Sequence, residues 1–130
     1  MIRKPISTDA APAAIGPYSQ AIDAGGFVFC SGQIGLDPAT GALVDGGVAA
    51  ECRQVMQNLG GVLEAAGVGW TDVVRMTLYL VRLDDFAVVN DVYASFLTPP
   101  YPARVTVGVA SLPRGAALEI DAVAVRPSPR

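Results

Sequence analysis

The order of patterns along the chain predicts an α+β domain with a five- to six-stranded sheet and two helices on one face. Three observations predict it. Short runs rich in β-branched and aromatic residues recur along the chain. Two longer segments repeat apolar residues at i, i+3 and i+4. Gly- and Pro-rich stretches separate these runs, with no internal repeat or low-complexity tract, so residues 1–130 read as one continuous domain.

Taken in order, residues 2–6 offer an extra N-terminal strand. Residues 17–24 and 26–31 read as two strands around Gly25–Gly26, a hairpin signal. A Gly/Pro/Asp-rich loop follows and ends near Gly47. VAAECRQVMQNLGGVLEAAG then places Val48, Cys52, Val55, Met56, Leu59, Val62, Leu63 and Ala66 on one helical face, with Gly67 as the stop. Gly60–Gly61 lowers the propensity of that helix, by roughly 1 kcal/mol per Gly, and implies close packing on a sheet. VVRMTLYLV (73–81) is a strand. LDDFAVVNDVYASFL (83–97) is a second helix, capped by Asp84, with Phe86, Val89, Tyr93, Phe96 and Leu97 facing inward. After TPPYP come the strand RVTVGVA (104–110), the LPRG loop and the last strand, ALEIDAVAV (117–125).

Two helices cover only one face of such a sheet. In the last strand, however, Leu118, Ile120, Ala122 and Ala124 lie on one side while Val123 and Val125 lie on the other. Strands that are apolar on both sides need both faces covered, and a second subunit is the simplest cover. The composition agrees: 52% hydrophobic and 16% charged residues, with a mean hydropathy of +0.42. No apolar run approaches the ~18 residues of a membrane span. The start MIRKPISTDAAPAA lacks the apolar core of a secretory signal, so the expected location is the cytoplasm.

Composition also excludes chemistries. The net charge is −3 and the nine basic residues are scattered, so no nucleic-acid footprint is expected. Cys30 and Cys52 make no CxxC and no metal spacing, and read as two reduced, buried thiols. The chain contains no histidine. That removes Ser-His-Asp and Cys-His nucleophiles, histidine-based ribonuclease chemistry and most zinc sites, so no metal centre is expected.

Two charges among apolar strand residues stand out, Arg104 and Glu119, because ionised groups are seldom buried unpaired. Period two puts Arg104, Thr106 and Gly108 on one strand face and Val105, Val107 and Val109 on the other. Glu119 shares a face with Asp121. Arg suits a carboxylate, which it grips with two parallel hydrogen bonds. A structural Arg104–Glu119 ion pair and a working site are both open on this pattern. Tyr18 follows Gly-Pro at the start of a strand, Ser31 and Gly32 sit at a strand end opening a loop, and Asn90 lies in the second helix. Each of these has an ordinary structural reading as well as a ligand-facing one.

IGPYSQA, CSGQIGLDPATG, LEAAG and above all PARVTVGVASLPRGAALEI resemble the RidA/YjgF family, from about residue 5 to residue 126. The resemblance implies a chorismate-mutase-like fold and a homotrimer with clefts between subunits. It implies a 2-iminobutanoate/2-iminopropanoate deaminase, a hydrolase converting 2-imino acids and enamines such as 2-aminoacrylate to 2-keto acids and ammonia without a cofactor. By this resemblance Arg104 holds the substrate carboxylate and Glu119 activates water. Tyr18, Ser31, Gly32 and Asn90 line the cleft, some of them from a neighbouring subunit. Thr106, a substrate-binding residue facing the same pocket as Arg104, stands where many deaminating members carry Cys, which bears on substrate preference. Two other functions attach to such a chain: a non-catalytic trimer that binds small carboxylates, and an endoribonuclease or translation inhibitor, which the missing histidines argue against.

Overall fold

The computed structural model describes residues 2–127. Six strands form one sheet: β1 (Arg3–Ile6), β2 (Ala21–Ala24), β3 (Phe27–Gln33), β4 (Val73–Leu80), β5 (Ala103–Gly108) and β6 (Leu118–Val125). The sheet order is β1-β2-β3-β6-β4-β5. All neighbours are antiparallel except β4 and β5, which are parallel and joined through a helix. The helices are α1 (Gly47–Ala65) and α2 (Phe86–Ala94). The predicted N-terminal strand and hairpin are both present. Ala24 pairs with Phe27 across a two-residue turn in which Gly25 and Gly26 have φ of 60° and 84°, the left-handed geometry that matches strand twist.

Both helices lie on one face of the sheet. Cys52, Val55, Met56, Leu59, Val62 and Leu63 of α1 are buried with Val28 of β3, Met76, Leu78 and Leu80 of β4, and Leu118, Ile120 and Ala122 of β6. This is the core. The opposite face is apolar too: Phe27, Phe29, Val105 and Val107 are 38–47% exposed there, and the Phe27 and Phe29 rings lie 5.9 Å apart. Among the described residues, no helix is long and apolar enough to cross a membrane.

Several local expectations are corrected. Residues 17–20 are not strand: β2 starts at Ala21, and Tyr18 sits in the preceding loop, its N–H bonded to Gly16 O at 2.9 Å. The second helix is shorter than 83–97. A 3-10 turn (Leu83–Asp85) precedes α2, and Asp85 rather than Asp84 takes the N-cap position, without a side-chain cap bond. Phe86 is 39% exposed, although its ring faces the sheet on the same side of the helix as the buried Tyr93. Gly60 and Gly61 do not pack on the sheet. A side chain at 61 would come within 2.8 Å of Ala10 O, and one at 60 would meet the Trp70 ring at 3.5 Å. The pair lies on the flank of α1, where the N-terminal segment and Trp70 close over the helix.

Cys30 and Cys52 are free and buried. Burial pushes their thiols up to about 12 and about 11, so both are neutral and unreactive at physiological pH.

Candidate functional site

Arg104 lies on the edge strand β5, on the helix-covered side of the sheet. One stripe of α2 holds it. Asn90 accepts a hydrogen bond from Arg104 Nη1 at 2.7 Å. The guanidinium carbon sits 5.3 Å from the Phe86 ring centroid and 5.1 Å from that of Tyr93. Phe86, Asn90 and Tyr93 are spaced i, i+4, i+7, so a single helix face supplies two rings and an oxygen acceptor. Aromatic faces attract a cation and hold a planar guanidinium in one orientation. Asn90 occupies one nitrogen and leaves other N–H donors for a ligand. A hollow of about 400 Å³ adjoins it, lined by Asn90, Tyr93, Ala94, Tyr101, Pro102 and Arg104. Burial raises the Tyr93 phenol above its ordinary range and the Arg104 charge acts the other way, so the phenol stays neutral.

Thr106 follows Arg104 on the same strand face, but it does not line this hollow. Its Oγ1 is buried without a hydrogen-bond partner, as is the Tyr93 hydroxyl.

A second hollow, of about 550 Å³, contains Glu119 together with Tyr18, Ser31, Gly32, Pro113 and Arg114. The Glu119 carboxylate lies directly over Gly32: a Cβ built there would fall 2.0 Å from Oε2. Only glycine leaves that space. The Ser31 hydroxyl donates to Ser19 O at 2.6 Å and its N–H bonds Gln20 O at 3.0 Å, which fastens the Tyr18 loop to the end of β3. Glu119 is half-buried. Burial and, secondarily, the Asp121 charge push its carboxyl above the ordinary 4.5. Both causes disfavour the ionised form, which strengthens the group as a proton acceptor.

Buried polar side chains pin the walls of this second hollow. Gln20, 4% exposed, accepts from Thr8 N at 2.7 Å and donates to Thr8 O at 3.1 Å and Pro12 O at 2.7 Å, holding the N-terminal wall. Asn58 of α1, fully buried, donates to Leu36 O at 2.9 Å and Ile34 O at 3.3 Å. Glu51 of α1 accepts from Ala117 N at 2.8 Å, at the entry to β6. Each satisfies backbone groups that a loop running over a core leaves without partners. None of the three was singled out from sequence, although Asn58 sits between Val55 and Leu59 on an otherwise apolar helix face. Phe86 and Tyr93 were read only as core. The Asn between them at helical spacing was the available signal.

The two hollows lie on opposite faces of the sheet. β4 runs between β5 and β6, with Met76 aligned to Arg104 and Tyr79 aligned to Glu119. Met76 is buried under the helices, and the residues of β4 alternate sides, so Arg104 and Glu119 point away from each other. The structural ion pair left open by the sequence does not form within a chain. Gly32→Ala is expected to displace Glu119 and lower turnover roughly 10–100-fold with the fold retained, because a shift of about 1 Å in a reacting group costs on that order. Steady-state kinetics beside a circular dichroism melt checks it, and unchanged kcat/KM would contradict the close approach.

The family described as Endoribonuclease L-PSP matches residues 8–126. A Bos taurus protein named 2-iminobutanoate/2-iminopropanoate deaminase is 50% identical over 126 residues, covering 97% of this chain and 92% of its own. Protein DfrA of Myxococcus xanthus is 55% identical, covering 96% and 97%. The crystal structure of RidA from an Antarctic Psychrobacter species superposes with a TM-score of 0.91 at 46% identity, covering 94% of this chain and 98% of that one. With a family match over nearly its whole length, and relatives about half identical from end to end, the chain belongs to the RidA/YjgF family of Endoribonuclease L-PSP proteins.

Proposed function

We propose that the protein hydrolyses reactive 2-imino acids and their enamine tautomers, 2-iminobutanoate and 2-aminoacrylate among them, to 2-keto acids and ammonia. The observation that carries this reading is the division of labour between the hollows. One holds a guanidinium oriented by two rings and an amide. The other holds a carboxylate made more basic by burial. The deaminase name of several relatives about half identical to this chain supports the same reading.

In this reaction Arg104 binds the substrate carboxylate through two hydrogen bonds. Glu119 takes a proton from water as the water oxygen bonds to the imine carbon and the C=N electron pair moves to nitrogen. Glu119 passes that proton to the amine nitrogen; its freed carboxylate then takes the proton of the new hydroxyl as the carbonyl forms and the C–N bond breaks, releasing ammonia. A protonated imine is already a good electrophile. Positioning and one base therefore supply the catalysis, and no cofactor enters.

Since the two groups face opposite ways, the reading needs Arg104 of one copy to meet Glu119 of another. We infer a homotrimer with three shared clefts. The apolar open face supports it, because Phe27, Phe29, Val105 and Val107 supply what a neighbouring copy would cover. The net charge of −3 and the absence of histidine stand against the ribonuclease chemistry in the family description. The reading puts the protein in the cytoplasm, where pyridoxal-phosphate dehydratases release these imines.

Coupling a threonine dehydratase to the purified protein and following the imine tests the reading. Faster decay than in buffer is expected, and a rate equal to buffer would overturn it. In the same assay Arg104→Lys is expected to raise KM roughly 10–100-fold, since a point charge replaces a two-toothed grip and the stacking on Phe86 and Tyr93 is lost.

A further inference from the structure

On the open face of the sheet, Glu119 has two polar neighbours that the reaction as described does not use. Asp121 follows it by two residues on β6, so the two side chains share a face at about 7 Å along the strand. Tyr79 of β4 is aligned directly with Glu119, yet its hydroxyl donates to Asp121 Oδ2 at 2.9 Å. Tyr79 thus reaches diagonally past Glu119 to fix its acidic neighbour. Around them the face carries Phe29, Val123, Val105 and Val107, with Thr77 aligned to Asp121 and Arg75 beyond it.

We propose that Asp121, held by Tyr79, is a positioning residue for Glu119, and that its negative charge strengthens Glu119 as the acceptor of the water proton. The proposal rests on the reading of Glu119 as the group that activates water. A carboxylate that must approach a substrate gripped by Arg104 is weakened as a base by that cation. A fixed negative charge on the side away from the substrate offsets the loss. Tyr79 sets how strongly Asp121 acts, because a hydrogen bond to the carboxylate disperses its charge. Attachment to Asp121 is also the leading cause that holds the Tyr79 phenol above its ordinary range, which keeps it a donor across neutral pH.

The remaining charged and titratable groups facing Glu119 are few. β4 contributes Arg75, beyond Thr77 on the same face, and Tyr79. β3 contributes Ser31 and Gly32, which do not titrate, while Cys30 is turned into the core. The loop before β2 brings Tyr18, and the turn before β6 brings Arg114. In the proposed assembly Arg104 of the neighbouring copy joins them. Among the described residues the ion pairs are Arg82–Asp84 and Arg126–Asp23, so neither Arg75 nor Arg114 neutralises Asp121 or Glu119 by contact.

The experiment is a carbon-13 carboxyl NMR titration of Glu119 in the full-length protein, alongside the acid limb of kcat/KM for imine hydrolysis. Glu119→Gln identifies the resonance. Asp121→Asn is expected to lower the Glu119 midpoint by about half to one pH unit, the size of a charge at ~7 Å in a partly solvated site. Tyr79→Phe is expected to move it upward, since Asp121 loses the bond that disperses its charge. Asp121→Glu, which keeps the charge, restores a value near that of wild type. A merely structural role predicts that both losses shift the midpoint the same way, or not at all, and either result overturns the proposal. A midpoint that moves by NMR while the acid limb stays put supports the effect of Asp121 on Glu119 and removes Glu119 from turnover. The titration needs no turnover, so failure of this inference and failure of the deaminase reading are told apart.

Discussion

Glu119→Gln is expected to lower imine hydrolysis by about 10³-fold with little change in KM, as removal of a general base does. Gln matches the size of Glu and still fits above Gly32, so the fold and the carboxylate grip at Arg104 persist. The acid limb of the wild-type rate is expected above the ordinary carboxylate value of 4.5, because burial and, secondarily, Asp121 raise the Glu119 carboxyl. Stability moves the other way. A carboxyl whose folded-state pKa is raised contributes its full stabilisation below the unfolded value, and loses it as pH rises through the folded one. At neutral pH the folded chain therefore carries a half-buried negative charge that Gln does not. Glu119→Gln is expected to melt a few degrees higher than wild type at pH 7–8, with the advantage gone near pH 4. Thermal melts across that range, run beside single-turnover kinetics, check both parts. A variant that keeps wild-type turnover sinks the role of Glu119.

Opposed effects of this kind would mark a group retained for chemistry, and Glu119 stood out from sequence because a charge among alternating apolar residues is costly unless used. Arg104 was visible likewise. The strands, the Gly25–Gly26 hairpin and the α1 stop at Gly67 were legible too, because period, turn chemistry and caps are local. What escaped was set by long-range contact. Residues 17–20 carry strand-like composition, but Gln20 spends its side chain on the N-terminal segment instead of a ladder. Phe86 and Tyr93 follow core spacing, and spacing alone does not tell a ring packed on Leu from one packed on a guanidinium. The facing of Arg104 and Glu119 depends on β6 lying between β3 and β4 with β5 added in parallel at the edge, an order that no local pattern carries.

That strand order leads to a mixing experiment. On the proposed roles Arg104→Ala lacks the carboxylate grip and Glu119→Gln lacks the base, so each variant alone is expected to be inactive at the level of about one part in 10³. If each cleft takes Arg104 from one copy and Glu119 from the next, a mixed assembly contains clefts with both wild-type groups. With equal amounts and random exchange in a closed ring, a cleft draws Arg104 from a Glu119→Gln chain half the time, and Glu119 from an Arg104→Ala chain half the time. About one cleft in four is then complete, and the mixture recovers about a quarter of wild-type activity after co-expression or co-refolding. The gain over either parent is of order 10²-fold, well above any additive effect. Chains carrying both substitutions, mixed with either single variant, give no recovery, because one of the two groups is then missing from every cleft. A mixture of the two single variants that stays as inactive as its parents, in a sample shown by mass spectrometry to contain mixed assemblies, would mean that each working site is built by one chain. The opposed faces of Arg104 and Glu119 argue against that result: within one subunit the sheet itself stands between the grip and the base.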